Sequence, residues 1–332
     1  MLLKKLTDAR GVSGFEKEIG NVIAAECKAK ADKVEIDALG NVIAFKKGTG
    51  KSKKKIMMTA HMDEIGFIVS NVTDKGLIKM KSFGGISIYV TYMSKLQFNN
   101  GEVGIVYSGD NLAESKGNHA NMIYVDIGAK TKEEALTKVS IGDYACYISD
   151  YMELMNGRVS AKALDDRIGC YIMIEALNRM ETCYNDLYFV FTVQEEVGVR
   201  GAKVAANRVN PDIGLNLDVC TSFDQLGAGE GTTVLGEGPA ILVCDRSVIC
   251  DQYLIEEMIK TAKDNEIKYQ IEIADSGGTD TSAVNQSNSG VKCVGISVPT
   301  RFFHSPVGML DMGDVELSIT LLSKFCDKRL KV

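Results

Sequence analysis

What the sequence lacks narrows it first. No apolar run approaches the roughly 20 residues that span a bilayer, so no membrane partner is expected. The amino terminus, Met1 to Asp8, turns polar before it could supply a signal peptide's apolar segment of about 7–15 residues, and a cytoplasmic location is therefore expected. Positive charge is not in excess. With 38 basic against 44 acidic residues, the net charge of −6 offers no broad positive field to a nucleic-acid backbone, and no nucleic-acid partner is expected. The nine cysteines include no Cys-x-x-Cys pair, and an odd, scattered count suits a reducing compartment better than a disulfide framework. There is no Gly-x-Ser-x-Gly elbow and no His-Glu-x-x-His helix, so serine hydrolase and zincin readings lack their anchors. Only three histidines occur, His61, His119 and His304, and each can be weighed individually.

The 332 residues make about twice a typical domain. Ser13 to Glu16 forms a capping-box pattern that predicts a helix of about 15 residues, followed by strands over 33–37, 41–46 and 55–60. Gly50-Lys51-Ser52 resembles the tail of a phosphate-binding loop, but Phe45 stands where that motif needs its first glycine, so the lysine-rich stretch reads as a hairpin tip. Residues 66–159 change texture to short alternating strands separated by glycine and asparagine turns, with one helix opened by Thr131 to Glu134. From Leu164 helices and apolar strands alternate again, ending in a helix from about Asp314. One α/β domain, residues 1–65 and 160–332, is thus expected to be interrupted by a β insertion, residues 66–159.

Ligands of open α/β sheets bind beyond the carboxyl ends of the strands. There the apolar runs end in His61-Met62-Asp63-Glu64, Gln194-Glu195-Glu196 and Asp218, while 291–298 leads through Pro299 towards His304. Asp165 lies where the insertion returns to the α/β portion. If Asp165, Glu195, Glu196 and Asp218 converge, four negative charges share a partly dry cleft, a strongly unfavourable state unless neutralised. Two divalent cations balance them, and the two imidazoles favour zinc or cobalt over magnesium or calcium. A single acidic residue after a strand is ordinarily a cap, so the argument rests on their coincidence with two of three histidines. His119 falls in a polar loop and is read as non-functional. Adjacent Glu195 and Glu196 should diverge, which suits one metal ligand and one free base rather than the facing carboxyls of a glycosidase.

Six segments, His61 to Gly66, Lys162 to Arg167, Gln194 to Ala202, Asn216 to Val219, Gly277 to Asp280 and Arg301 to Pro306, together resemble the TET-type dinuclear metalloaminopeptidases, the glutamyl and deblocking aminopeptidases. The resemblance implies a mixed sheet with helices on both faces and a small β-barrel-like insertion. It implies that Asp165 bridges two metals, that Glu196 and His304 complete one site, and that His61 and Asp218 complete the other. Glu195 would be the general base, Asp63 would orient His61, and the Asp165-Asp166 peptide would be cis. Peptides with a free amino terminus would be the substrates, and homo-oligomers, dimers assembling into a dodecamer through the insertion, the quaternary state. Gly277 to Asp280 would shape the cleft, with Asp280 a capping or loop residue. Two departures stand out: the family's proline-proline-histidine turn is replaced after Val106 by Tyr107-Ser108-Gly109-Asp110-Asn111, and Gly308 stands where a glutamate is usual. Readings to be set against the aminopeptidase are a related dinuclear amidohydrolase or deacylase and a non-catalytic metal-binding assembly protein.

Overall fold

The structure, a computed structural model, describes residues 1–108 and 123–331, so His119 and most of the divergent loop lie outside the described residues. The chain opens with α1 (Leu2–Asp8), α2 (Lys17–Cys27), β1 (Lys33–Ile36), β2 (Val42–Lys46) and β3 (Lys55–His61). Next come β4 (Gly66–Val72), β5 (Ile78–Phe83), α3 (Ile88–Thr91), β6 (Lys95–Phe98), β7 (Val103–Ser108), β8 (Ile123–Asp126), α4 (Lys132–Leu136) and β9 (Tyr144–Tyr147). It continues through β10 (Met152–Glu153), β11 (Arg158–Ala161), α5 (Leu164–Arg179), β12 (Asp186–Thr192), α6 (Arg200–Val209) and β13 (Ile213–Thr221). Last are β14 (Ala240–Cys244), α7 (Gln252–Asp264), β15 (Gln270–Ile273), α8 (Asp280–Asn285), β16 (Lys292–Arg301), β17 (Gly308–Asp311) and α9 (Met312–Cys326).

The large mixed sheet runs β1-β2-β12-β3-β13-β16-β17-β11-β10, with β14 and β15 branching from β16. Its four central strands, β12, β3, β13 and β16, are parallel. Such strands are covered on both faces, which is why they read as continuous apolar runs. Successive residues of β3 show it: Ile56, Met58 and Ala60 pack in the core that holds α5 and α9, whereas Met57 packs on the other side with Ala202 and Ala205 of α6. Strands β4 to β9 close into a separate antiparallel barrel in the order β4-β5-β8-β7-β6-β9. Its interior is its own, built from Phe67, Val69, Ile78, Met80, Leu96 and Phe98 among others, and closure leaves it no exposed edge.

Two local expectations are corrected. Ser13 does not cap a helix: its hydroxyl donates to Asp63, Glu16 accepts from the Gly14 and Gln194 amides, and α2 begins only at Lys17. The Ser13 hydroxyl is engaged by a tertiary carboxylate instead of accepting from a helix amide. Nor is the lysine-rich stretch a hairpin tip, because β12 lies between β2 and β3, and Gly48 and Lys53 are tied to Asp186 at the start of β12. Thr131, in contrast, caps α4 by accepting from the Glu134 amide.

The start of α5 is fixed by charge. Arg167 is wholly buried; its guanidinium donates to the carbonyls of Leu6, Ala9 and Met62 and lies 3.5 Å from Glu64, which also takes two bonds from Lys162. This ties α1, the end of β3 and α5 together. Removing one member of such a buried set strands the rest, so Arg167→Leu should lower unfolding stability by about 3–5 kcal/mol. Arg179→Leu, which breaks exposed pairs with Glu175 and Glu316, should cost no more than about 1 kcal/mol. Urea unfolding of the two variants side by side checks the contrast.

Candidate metal centre

Parallel register brings the site together. Thr192 of β12 pairs with His61 at the end of β3, so the chain leaving β12 carries Gln194, Glu195 and Glu196 past the histidine. On the other side, β3 and β13 pair only as far as Thr59 and Asn216, then both run on, and His61 and Asp218 face each other where the ladder has opened. β16 delivers His304 from a turn just beyond its end, and Asp165 enters from the first turn of α5. The Asp165-Asp166 peptide is cis. Ala163, Gln194, Val199, Phe302 and His304 have positive φ, a conformation costing non-glycine residues about 1–3 kcal/mol and concentrated here around one cluster.

Asp165 lies at the centre. Its Oδ1 is 2.9 Å from His61 Nε2 and its Oδ2 is 3.2 Å from His304 Nε2. Glu196 Oε2 lies 3.4 Å from His304 Nε2, and Glu195 Oε2 lies 4.0 Å from His61 Nε2. The two glutamates do diverge, each towards a different imidazole, but from a turn after β12 rather than from a strand's pleat. Both histidines use Nδ1 on a main-chain carbonyl: His61 on Asp63 at 3.1 Å, His304 on Gly85 at 2.7 Å. A carbonyl only accepts, so each Nδ1 carries a proton and each Nε2 is turned to Asp165. Gly85 belongs to the turn after β5, so the barrel segment helps to orient His304.

Asp63 does more than face His61. Its carboxylate, 3.5 Å from His61 Nδ1, accepts from Ser13 Oγ at 2.6 Å and from the amides of Glu195 at 2.9 Å and Glu196 at 3.2 Å. It thereby fixes the turn that carries both glutamates. Asp280 is neither cap nor loop: Thr279 caps α8, while Asp280 is fully buried and accepts from Thr192 Oγ1. Asp166, which the sequence did not single out, is fully buried next to Asp165. Donor atoms of His61, Asp166 and Asp218 lie within 4.8 Å of one another, as do those of His61, Asp165 and Glu196. Asp166, however, already accepts from the Gly169 and His61 amides, which makes it a brace for the α5 turn rather than a free donor. No sequence signal separates it from its neighbour Asp165.

Electrostatics show what the cluster needs. Burial pushes the Glu195 carboxyl well up against the opposing pull of His61, with Asp280, Asp218 and Glu196 adding to the shift. Burial and Asp165 bring Glu196 up to about 7, and burial, despite His61, takes Asp218 up to about 8. Burial disfavours the charged His304 imidazole, yet the bond to Asp165 holds it up at about 10. Burial likewise works against Asp165, but His304 and His61 hold it well below the usual carboxylate range. Negative charge is in surplus, and the donors are carboxylate oxygens and imidazole nitrogens. That set fits divalent transition metals. The cluster forms one end of a cleft of about 690 Å³.

Parallel strands emptying into a carboxylate–imidazole cluster, beside a closed antiparallel barrel, define the class as an aminopeptidase of the TET architecture. The M42 glutamyl aminopeptidase family matches residues 40–321, and the chain belongs to that family, whose members are metal-dependent. It is 44% identical to a putative aminopeptidase of Acetivibrio thermocellus, over 97% of this chain and 96% of that one. It is 34% identical to the lysyl aminopeptidase of Pyrococcus furiosus, over 96% of this chain and 94% of that one. The Pyrococcus horikoshii TET1 peptidase, whose structure assembles into a tetrahedron or a large octahedral shell, has a TM-score of 0.85 at 33% identity, with 99% of each chain covered. Family and relatives support an aminopeptidase, a hydrolase of peptide bonds.

Cations that bind only the folded cluster must stabilise it. Zinc or cobalt at a free concentration of 100 times Kd should add about 2.7 kcal/mol per site, raising the unfolding temperature of chelator-treated protein. An unchanged temperature would separate the cluster from metal binding.

Proposed function

We propose that the protein is a two-metal aminopeptidase that removes the amino-terminal residue of short peptides. The observation that carries this reading is Asp165, which turns one carboxylate oxygen to each of two imidazoles whose second nitrogens are already committed. Asp165 would bridge the two ions, Glu196 and His304 would hold one, and His61 and Asp218 the other. When bound, such ions supply Lewis acidity, which acidifies a water molecule and polarises a scissile carbonyl.

Glu195 is the general base in this reading. It is buried, close to the cluster, and its carboxylate has no hydrogen-bond partner among the described residues, so it is free to take the water's proton and pass it to the leaving amine. Asp63 acts at one remove, orienting His61 and holding the turn that carries Glu195. A peptide's free α-amino group is drawn to this acidic cleft end, which favours cleavage of the first residue.

The assignment of residues 66–159 to assembly belongs to the same proposal. It is supported by exposed apolar side chains on the barrel, among them Tyr89, Val90, Met93, Val103 and Ile105, and by likeness to a peptidase that forms a tetrahedron. We accordingly expect dimers that assemble into a dodecamer. Nine free thiols support a reducing, cytoplasmic setting.

Aminoacyl para-nitroanilides with free and acetylated amino groups test the activity: metal-dependent release of para-nitroaniline from free amino termini alone is the expected result, and release of acetate from the acetylated compounds with no para-nitroaniline from the free ones would favour a deacylase. Glu195→Gln should retain metal yet lose about 10²–10⁴ in rate, and near-normal turnover would remove Glu195 from the mechanism. Asp165→Ala should lower metal stoichiometry at both positions; an unchanged count would show that Asp165 is not a bridge.

A further inference from the structure

The cleft does not end at the cluster, and its far end carries charge that nothing among the described residues answers. Register traces its floor. Asp218 on β13 pairs with Ser297 on β16; two residues back, Gly295 of β16 pairs with Leu242 of β14, and Leu242 pairs with Glu272 of β15. Directly paired residues, and those two apart on one strand, share a face, so Asp218, Ser297, Leu242 and Glu272 form one row leading away from the cluster. All four line the cleft.

Glu272 is 9% exposed and leaves Oε2 without a hydrogen-bond partner among the described residues. Asp245, just past the end of β14, is pinned through Oδ1 by Ser247 and Val248, while its buried Oδ2 likewise has no partner among them. Both residues line the same cleft, and burial together with the charge of Asp245 brings the Glu272 carboxyl up to about 7. Two more carboxylates, Glu230 and Asp275, stand exposed along the lining, to which the described residues contribute no lysine or arginine. A buried acceptor left unpaired is costly, and a cation delivered to this place would remove the cost.

We propose that Glu272 and Asp245 receive the side chain of the residue being removed, and that the protein is selective for amino-terminal lysine and arginine. The proposal rests on the aminopeptidase reading above. Ser297 stands one strand spacing, about 4.8 Å, from Asp218, and Glu272 closes the same row beyond Leu242. With its α-amino group held at the cluster, the substrate's apolar stem crosses Leu242 and its cationic end meets the two carboxylates. A glutamate side chain would instead meet like charge, and a leucine would leave both acceptors unpaired.

The test is a set of initial rates with the metal-loaded enzyme on lysyl, arginyl, leucyl, norleucyl and glutamyl para-nitroanilides. Lysyl and arginyl derivatives should lead in kcat/KM, with the glutamyl derivative last. Glu272→Gln should lower kcat/KM for the lysyl derivative at least about 30-fold and for the norleucyl derivative less than about threefold. Calorimetric binding of L-lysinamide and L-norleucinamide to metal-loaded Glu195→Gln protein gives a readout without turnover, and the lysine compound should bind more tightly. Faster release of leucine, norleucine or glutamate would overturn the pocket while leaving the aminopeptidase intact. An equal loss on lysyl and norleucyl substrates in Glu272→Gln would reduce Glu272 to a structural residue and overturn the pocket as well. Release from none of the five would bring down the aminopeptidase reading itself, and the pocket with it.

Discussion

Like charge crowded into a buried place is the condition around which this molecule is arranged. Asp165, Glu195, Glu196 and Asp218 meet at one end of the central strands, and burial raises the Glu195, Glu196 and Asp218 carboxyls against the pull of the imidazoles. Such a cluster persists only if its geometry is imposed from outside. The imposition is visible in the hydrogen bonds of Asp63 to the Glu195 and Glu196 amides, in the carbonyls that fix both histidine rings, and in the positive φ angles gathered around the site. Packing in the sheet's two cores supplies the free energy that keeps these local costs in place.

A second buried ionic group a few residues away is solved in the opposite manner. Glu64 follows Asp63 directly, yet it is matched within the protein by Lys162 and Arg167, and Arg167 also donates to three main-chain carbonyls. It is a closed network that joins α1, β3 and α5. The neighbouring cluster is open, with surplus acceptors and, among the described residues, no lysine or arginine paired with it. The contrast between an internally neutralised network and one that is not separates the Glu64 network from the candidate site more clearly than burial does, since all these carboxylates are buried or nearly so.

Much of the fold was legible because parallel strands covered on both faces leave uninterrupted apolar runs, and β3, β12, β13 and β16 could be located from them. The barrel showed as a change to short alternating strands. The edge of the sheet was less readable: β10 has two residues, and β11, β14 and β17 are short and pair with strands distant in sequence. Ser13 shows the limit of local rules, since a capping pattern gives way when the serine is drawn to a buried carboxylate distant in sequence.

The sequence by itself singled out the groups from which the site could be built: His61, Asp63, Glu195, Glu196, Asp218 and His304 at or near the ends of apolar runs, and Asp165 where the insertion returns. It did so because strand ends are set by local hydrophobic pattern. Only the tertiary structure decided how those groups face each other, that Asp166 braces while Asp165 points into the cluster, that Asp63 holds a turn as well as a ring, and that Glu272 and Asp245 open onto the same cleft. Those relations depend on register between strands far apart in the chain and on which hydrogen-bond partners are already taken, and neither is written in the order of residues along a single segment.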